Sequence, residues 1–409
     1  MQASPLRGIR VLDFSKVLAG PLCTQYLSDM GAEVVKVEPI GSGDDSRRWP
    51  PFPAKPEGDA LGTPFLAANR GKRSIAIDLK SVEGQRLCRA LAASADVVVE
   101  SFGPGVAARL AIDHEALKAA NPALIHCSIS GFGARGPMKN GKGYDVILQA
   151  FTGMLSITGE PGGNAVRSPF SPVDQATGMH ALIGILAALF ERNATGRGKK
   201  VEVSLFDTAT GFLGYFLQGF WERGTEPEKP GSGHESLCPY EIFQASDKAL
   251  ILGVANDALW RKFCALAGLE AYADDPRYAT NASRVANRQA TVAIVAEAIG
   301  QRPCAEWIER LDAAGIPCSP LNSLGDLSKH PHTEASEMVR EYEHPVLGRL
   351  KTVSQPIRFD GERMPIRRPA PMLGEHTEQL MAELGLNEDE IRDLEGRNVI
   401  RAWRPPAAV

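Results

Sequence analysis

The chain has 409 residues, 44% of them hydrophobic and 23% charged, an ordinary globular balance in a length that exceeds one typical core. A net charge of −4 argues against a nucleic-acid partner, which usually calls for a basic excess. The longest unbroken apolar run, 181–190, is about half of the ~20 residues a spanning helix needs. The first residues carry neither the apolar stretch nor the cleavage site of a secretory signal, so a soluble cytoplasmic protein with no membrane partner is expected.

In chain order, short β-branched runs alternate with helical patterns. Strands are expected at 9–14 ("IRVLDF"), 33–38 ("EVVKVE"), 74–79 ("SIAIDL"), 96–100 ("DVVVE") and 124–129 ("LIHCSI"). Helices are expected at 21–30 and 82–93. Such alternation favours a mostly parallel sheet with helices on its faces. A long apolar helix over 175–192 follows, stopped by Gly196 and Gly198, then a strand at 199–206 and a helix at 208–221. The stretch 224–233, "GTEPEKPGSG", is polar and rich in Gly and Pro, the clearest linker in the chain. Beyond it we expect a strand at 250–254 and helices near 257–267, 284–299 and 304–314, closing around "GIPCSPL" (315–321). A last helix enters from "PMLGEHTEQLMAEL".

Cys23, Cys88, Cys127, Cys238, Cys264, Cys304 and Cys318 are dispersed, with no C-x-x-C pair. They read as reduced thiols, with neither a disulfide framework nor a metal site.

Residues 131–136, "GFGARG", match the G-x-G-x-x-G spacing of dinucleotide binders. That fingerprint works only when its last glycine opens a helix whose N-terminus meets the pyrophosphate. Here "PMKNGKGYD" follows, and Pro137, Asn140, Gly141 and Gly143 oppose a helix. A loop is expected instead.

Asp174 immediately precedes the long apolar helix, in N-cap position. Capping alone accounts for an aspartate there. A chemical role is open as well. A nucleophilic carboxylate must be ionised, and a helix N-terminus favours the charged form. His126 and His180 sit in apolar patterns and read as core histidines.

Several segments, in order and spacing, resemble the class III CoA-transferase family of the formyl-CoA and carnitine CoA-transferase type. They are "GIRVLDFSKVLAGP" (8–21), "GAEVVKVEPIGSGD" (31–44), "NRGKRSIAIDLK" (69–80), "DVVVESFGPG" (96–105), "GFGARGP…GYD" (131–145), "GMHALIGILAALFERNATGRGKKVEVSLFD" (178–207) and "APMLGEHT" (370–377). The resemblance implies that Asp174 is the catalytic nucleophile, forming aspartyl anhydride and aspartyl-CoA thioester intermediates. It implies CoA contacts at Val17, Leu18, Ala19, Ile77, Ser101, Phe102, Arg109, Leu110, Lys142 and Tyr144. Acyl-CoA is a substrate in such enzymes, and no cofactor is permanently bound. Two departures are Pro39, where the formyl-CoA transferase type has a basic residue, and Ser101 in place of Asn.

"GSGDDSRRWPPF" (41–52) resembles the subgroup that uses dicarboxylic acids with succinyl-CoA as donor. Arg47 and Arg48 are candidates to grip a remote carboxylate. The bland alternative is a surface loop whose arginines pair with Asp44 and Asp45. "GSGHE" is a candidate lid and oxyanion-donor segment through Gly231, Gly233 and His234, since glycine N–H groups can approach closely. It can equally be the end of the linker.

Two other functions compete. The related α-methylacyl-CoA racemases carry a histidine where this chain has Tyr144 in "GYD", and tyrosine is a poor base at neutral pH. A CoA-binding protein without turnover is the second.

The fold implied is α/β: a large Rossmann-like domain with a mostly parallel sheet formed by both chain ends, and a smaller α/β domain. The boundaries expected are 1–200 for the N-terminal part of the large domain, 201–230 for helix and linker, 231–330 for the small domain and 331–409 for the return segment. The resemblance also implies an interlocked homodimer.

Overall fold

A computed structural model describes residues 4–53 and 61–405. The chain divides into two compact units, one of residues 1–152, 168–215 and 334–409, the other of 153–167 and 216–333.

The first unit is built on a seven-stranded sheet. Its strands are β1 (Arg10–Asp13), β2 (Glu33–Glu38), β3 (Arg73–Ile77), β4 (Val97–Glu100), β5 (Ile125–Ser130), β6 (Lys200–Ser204) and a last strand, Ile400–Arg401. The order is β3-β2-β1-β4-β5-β6, with the C-terminal strand on the outer side of β3. The five pairings among β1–β6 are parallel, and Ile400–Arg401 runs antiparallel to β3. This is the Rossmann-like strand order, with the chain's end added as an edge strand.

The sequence explains why β1–β4 lie at the centre. Val11, Leu12, Val34, Val37, Ile75 and Val97–Val99 are all buried, the continuous apolar run of strands covered on both faces. Helix α1 (Ala19–Asp29) and helix α2 (Val82–Ala93) lie between these strands in sequence. Ser81 caps α2 by accepting the Gly84 N–H at 3.0 Å.

Helix α3 (Asp145–Phe151) and the long helix α4 (Pro172–Thr195) follow β5. By length and composition α4 could cross a membrane. It instead packs on α1, β5 and β6, burying Val173, Thr177, Ala181, Ile185 and Ala188. Gly178 is the contact point: a β-carbon there would lie 2.5 Å from the Ala19 carbonyl oxygen. Only glycine lets α4 approach the start of α1 so closely.

In the second unit, strands Tyr240–Gln244, Ala249–Gly253 and Cys318–Pro320 form an antiparallel sheet. Trp260, Phe263, Val295, Ile299, Trp307 and Leu311 form its core. The boundaries differ from those expected. Residues 153–167 fall in this unit and not in 1–200, because Gly231 donates to the Gly159 carbonyl at 3.0 Å and Lys229 reaches the Gly163 carbonyl at 2.6 Å. The unit also begins at 216, ahead of the linker. The helix expected at 208–221 is two helices, broken at the buried Leu213.

Candidate active site

Strand order fixes where a ligand can sit. From β1 the chain builds outward through β2 and β3, then returns to place β4 on the other side of β1. The crevice beyond the carboxyl ends of two such strands is where open α/β sheets bind ligands. Phe14–Ala19 leave β1 there, and Ser101 and Phe102 leave β4. The Ser101 hydroxyl accepts the Lys16 N–H at 3.1 Å, and the Phe102 ring lies 6.2 Å from that of Phe14. Thus Val17, Leu18, Ser101 and Phe102, half-buried, gather at the carboxyl ends of the central strands β1 and β4. Ala19 is buried at the start of α1.

The other expected CoA contacts divide. Arg109 is exposed at the end of the short helix Val106–Arg109, followed by half-buried Leu110. Ile77 is fully buried in the core and pairs with Ile400 across the sheet, so its side chain offers no ligand surface. Lys142 and Tyr144 are exposed on the loop that follows β5.

That loop also accounts for the dinucleotide-like glycines. No helix occupies 131–144. A β-carbon on Gly131 would stand 2.7 Å from the Gly143 Cα, and one on Gly143 would stand 2.5 Å from the Gly131 Cα. The two ends of the loop touch backbone to backbone, as in an Ω-loop. Glycine is required at both ends for this closure.

Asp174 differs from the expected N-cap. It is the third residue of α4, one turn before Gly178. The cap position belongs to Ser171, in left-handed backbone (φ 52°) with no side-chain cap bond. Pro172 starts the helix earlier than expected, at the position proline favours. Its free N–H groups are satisfied from elsewhere. The buried Asp145 carboxylate accepts from the Val173 N–H at 2.8 Å and the Asp174 N–H at 3.1 Å, both on Oδ2. The Gln149 amide donates to Asp145 Oδ1 and, through Oε1, accepts the Ser168 N–H at 3.0 Å. Asp145, which holds the start of α4, is the residue of this arrangement that the sequence does not point to.

This arrangement disfavours the ionised form that the helix end was expected to favour. Burial, and then the neighbouring Asp145 carboxylate, push Asp174 from its ordinary 3.8 up to about 7. Asp174 is therefore a carboxyl group poised near neutrality, more basic and more nucleophilic when ionised than an exposed aspartate.

The arginine pair also splits. Arg47 is buried, and its guanidinium holds Glu38 through two 2.7 Å bonds. It also donates to the Pro371 carbonyl at 2.9 Å and lies 3.7 Å over the Phe65 ring. Such a group cannot grip a substrate carboxylate. Arg48 is exposed, with Asp45 at 3.7 Å, and is available.

Gly231, Gly233 and His234 lie in the second unit. Their N–H groups are already engaged, with the carbonyls of Gly159 (3.0 Å), Pro230 (2.9 Å) and Tyr240 (3.2 Å). Here they are not oxyanion donors, because each amide proton has a partner. Of the two histidines, His126 is a core residue, lowered by burial to about 4. His180 is exposed, its ring 2.9 Å from the Thr208 hydroxyl. Among the described residues no group of three or more His, Cys, Asp or Glu could hold a metal.

A doubly wound sheet with an open switch point and a half-buried, raised carboxyl at a helix start is an arrangement suited to covalent acyl transfer. Residues 6–377 match the model of CoA-transferase family III, and the chain belongs to that family. It is 38% identical over 382 residues to the succinate–glutarate CoA-transferase of Agrobacterium fabrum, covering 93% of this chain and 96% of that protein. It is 36% identical to the succinyl-CoA:glutarate CoA-transferase of Mus musculus, covering 94% and 87% respectively. The crystal structure of a CaiB/BaiF family protein from Brucella suis superposes with a TM-score of 0.83 at 37% identity, covering 94% of this chain and all of that one. As a class III CoA-transferase, the protein uses CoA thioesters as substrates.

Proposed function

We propose that the protein moves CoA from succinyl-CoA to a free dicarboxylic acid, with Asp174 as nucleophile. The observation that carries this reading is the Asp174–Asp145 arrangement. A carboxyl held at a fixed point, with its basicity raised, is what attack on a thioester requires.

The steps balance without a cofactor. An Asp174 carboxylate oxygen attacks the thioester carbonyl; the C–S bond breaks, giving a mixed anhydride and CoA thiolate. The thiolate attacks the aspartyl carbonyl, giving aspartyl-CoA and free donor acid. The acceptor carboxylate then attacks that thioester and releases thiolate. The thiolate in turn takes the acceptor acyl group and regenerates Asp174. The acyl activation survives each exchange, provided water is kept out during the covalent stages.

CoA binds, in this reading, at the Val17–Ala19 and Ser101–Phe102 crevice, with Arg109, Lys142 and Tyr144 as outer contacts. Cationic side chains suit CoA's phosphates. Dicarboxylate use is supported by the relatives named for succinate and glutarate and by the exposed Arg48. A homodimer is supported by the apolar surface of α4, where Met179 (38%), Ile183 (63%) and Phe190 (82%) are exposed. All seven cysteines are free thiols, which suits the cytoplasm.

The test combines mutation and trapping. Asp174→Ala should abolish transfer in a folded protein. Hydroxylamine or borohydride added to wild-type enzyme with acyl-CoA should leave a mass change mapped to Asp174. A folded Asp174→Ala protein that transfers CoA at the wild-type rate sinks the mechanism. Use of a monocarboxyl donor with indifference to succinyl-CoA sinks the substrate assignment alone.

A further inference from the structure

The motif "GDDSRR" contains one structural arginine, Arg47, and the reason lies in what surrounds it. Beneath the loop after β1, six charged side chains are buried together: Asp13, Lys36, Glu38, Asp44, Arg47 and Lys72, each 4% exposed or less. Charges are taken out of water only at considerable cost, so their placement calls for an explanation.

Three of them, Asp13, Lys36 and Asp44, bond the backbone of Ser15–Val17 directly. Val17 has φ 69°, the left-handed region, where a β-branched residue is an outlier. Its N–H points between the two carboxylate oxygens of Asp44, 3.2 Å from each. Lys36 Nζ binds Asp44 Oδ2 at 2.9 Å and donates to the Ser15 carbonyl at 2.8 Å. The Ser15 side chain is tied in turn to Asp13, which Lys72 holds at 3.1 Å. Against the burial that would raise it, Lys36 and the Ser46 N–H keep Asp44 below the ordinary carboxylate range.

The anchor runs further. Asp44 donates its own N–H to Glu38 Oε2 at 3.0 Å, and Glu38 is the carboxylate that Arg47 grips. Asp44 Oδ1 also accepts from the Ser46 N–H at 3.0 Å and its hydroxyl at 2.7 Å. One carboxylate therefore joins the loop at the sheet's switch point to the turn that presents Arg48.

We propose that Asp44, held by Lys36, is a positioning residue that clamps the Val17 loop in its left-handed, CoA-receiving conformation before any ligand arrives. This rests on the reading of that loop as the CoA site. Without the clamp, Val17 relaxes to ordinary negative φ, and binding must first restore the strained form; affinity falls by the fraction of molecules that hold it. Chemistry at Asp174, once CoA is bound, is little changed.

The experiment measures CoA affinity by calorimetry, together with KM and kcat, for wild type and Asp44→Asn. We expect Kd and the KM for acyl-CoA to rise about tenfold or more, with kcat changed less than about threefold. In a Val17→Gly background, where glycine takes positive φ unaided, the same Asp44→Asn change should cost less than about threefold. Equal losses in the two backgrounds, or unchanged affinity in a folded Asp44→Asn protein, overturn the clamp. Amide exchange on the unmodified, ligand-free protein gives an answer even where Asp44→Asn fails to fold. The Val17 N–H should be protected, and rapid exchange there overturns the proposal. Wild-type protein that binds no CoA overturns the CoA reading itself, whereas binding without dependence on Asp44 overturns only the clamp.

Discussion

Asp174→Asn should make the protein more stable at alkaline pH while abolishing its activity. Asp174 sits near 7 in the folded chain against an ordinary 3.8 for an exposed aspartate. The folded state therefore holds this proton through a pH range in which the unfolded chain has released it. Stability from this group is fully present below about pH 4, falls as pH rises, and is gone once pH passes about 7. Three units at about 1.4 kcal/mol each set an upper limit of about 4 kcal/mol. Asp174 is half-buried, so partial screening reduces the expected effect to about 2 kcal/mol. Asparagine has the same shape and never ionises. Its advantage over wild type should grow by about 2 kcal/mol between pH 4.5 and pH 8.5. Urea denaturation of both proteins at the two pH values, followed by far-UV circular dichroism, measures the difference of differences. An advantage that does not grow with pH would show that Asp174 is an ordinary ionised carboxylate, and the argument from burial and Asp145 would fail.

Under the proposed mechanism the same proton governs rate. The nucleophile must be ionised, so kcat/KM should rise about tenfold per pH unit and flatten near pH 7, the position to which burial and Asp145 push Asp174. Asp145→Asn removes one of those causes and should move the break toward lower pH by on the order of one unit, measured from the acid limb of the profile. Arg47→Ala leaves Glu38 buried without its partner and should cost about 3–5 kcal/mol in urea denaturation. Arg48→Ala should cost under about 0.5 kcal/mol but raise KM for a dicarboxylate acceptor and not for a monocarboxylate. Gly178→Ala places a β-carbon 2.5 Å from the Ala19 carbonyl oxygen. It should destabilise by about 1–3 kcal/mol and lower kcat, because α4 carries Asp174 and must move.

Which parts of this molecule could be read from residues alone follows from the range of the forces involved. The strand at 33–38 and the helix at 82–93 match their expected limits, because each is bounded by its own neighbours: Glu33–Glu38 is flanked by Gly31 and Pro39, and Val82–Ala93 is capped by Ser81. The parallel sheet followed from the alternation of such segments. The glycine loop was legible for the same local reason, since Pro137 and three nearby residues forbid the helix a dinucleotide site needs. The misreadings share a different origin. Arg47 looked like its neighbour Arg48, and only the fold brings Pro371, 324 residues away, onto its guanidinium. Asp174 looked like a self-capping residue with a stabilised charge, whereas Asp145, 29 residues earlier, does the capping and supplies the repulsion. Gly231 and Gly233 looked like free donors because sequence does not display the carbonyls that occupy them. In each case the sequence displays the side-chain type and not the partner. For ionisable groups the partner decides the role: an arginine on a buried glutamate is scaffold, and an aspartate beside a second aspartate is made more basic.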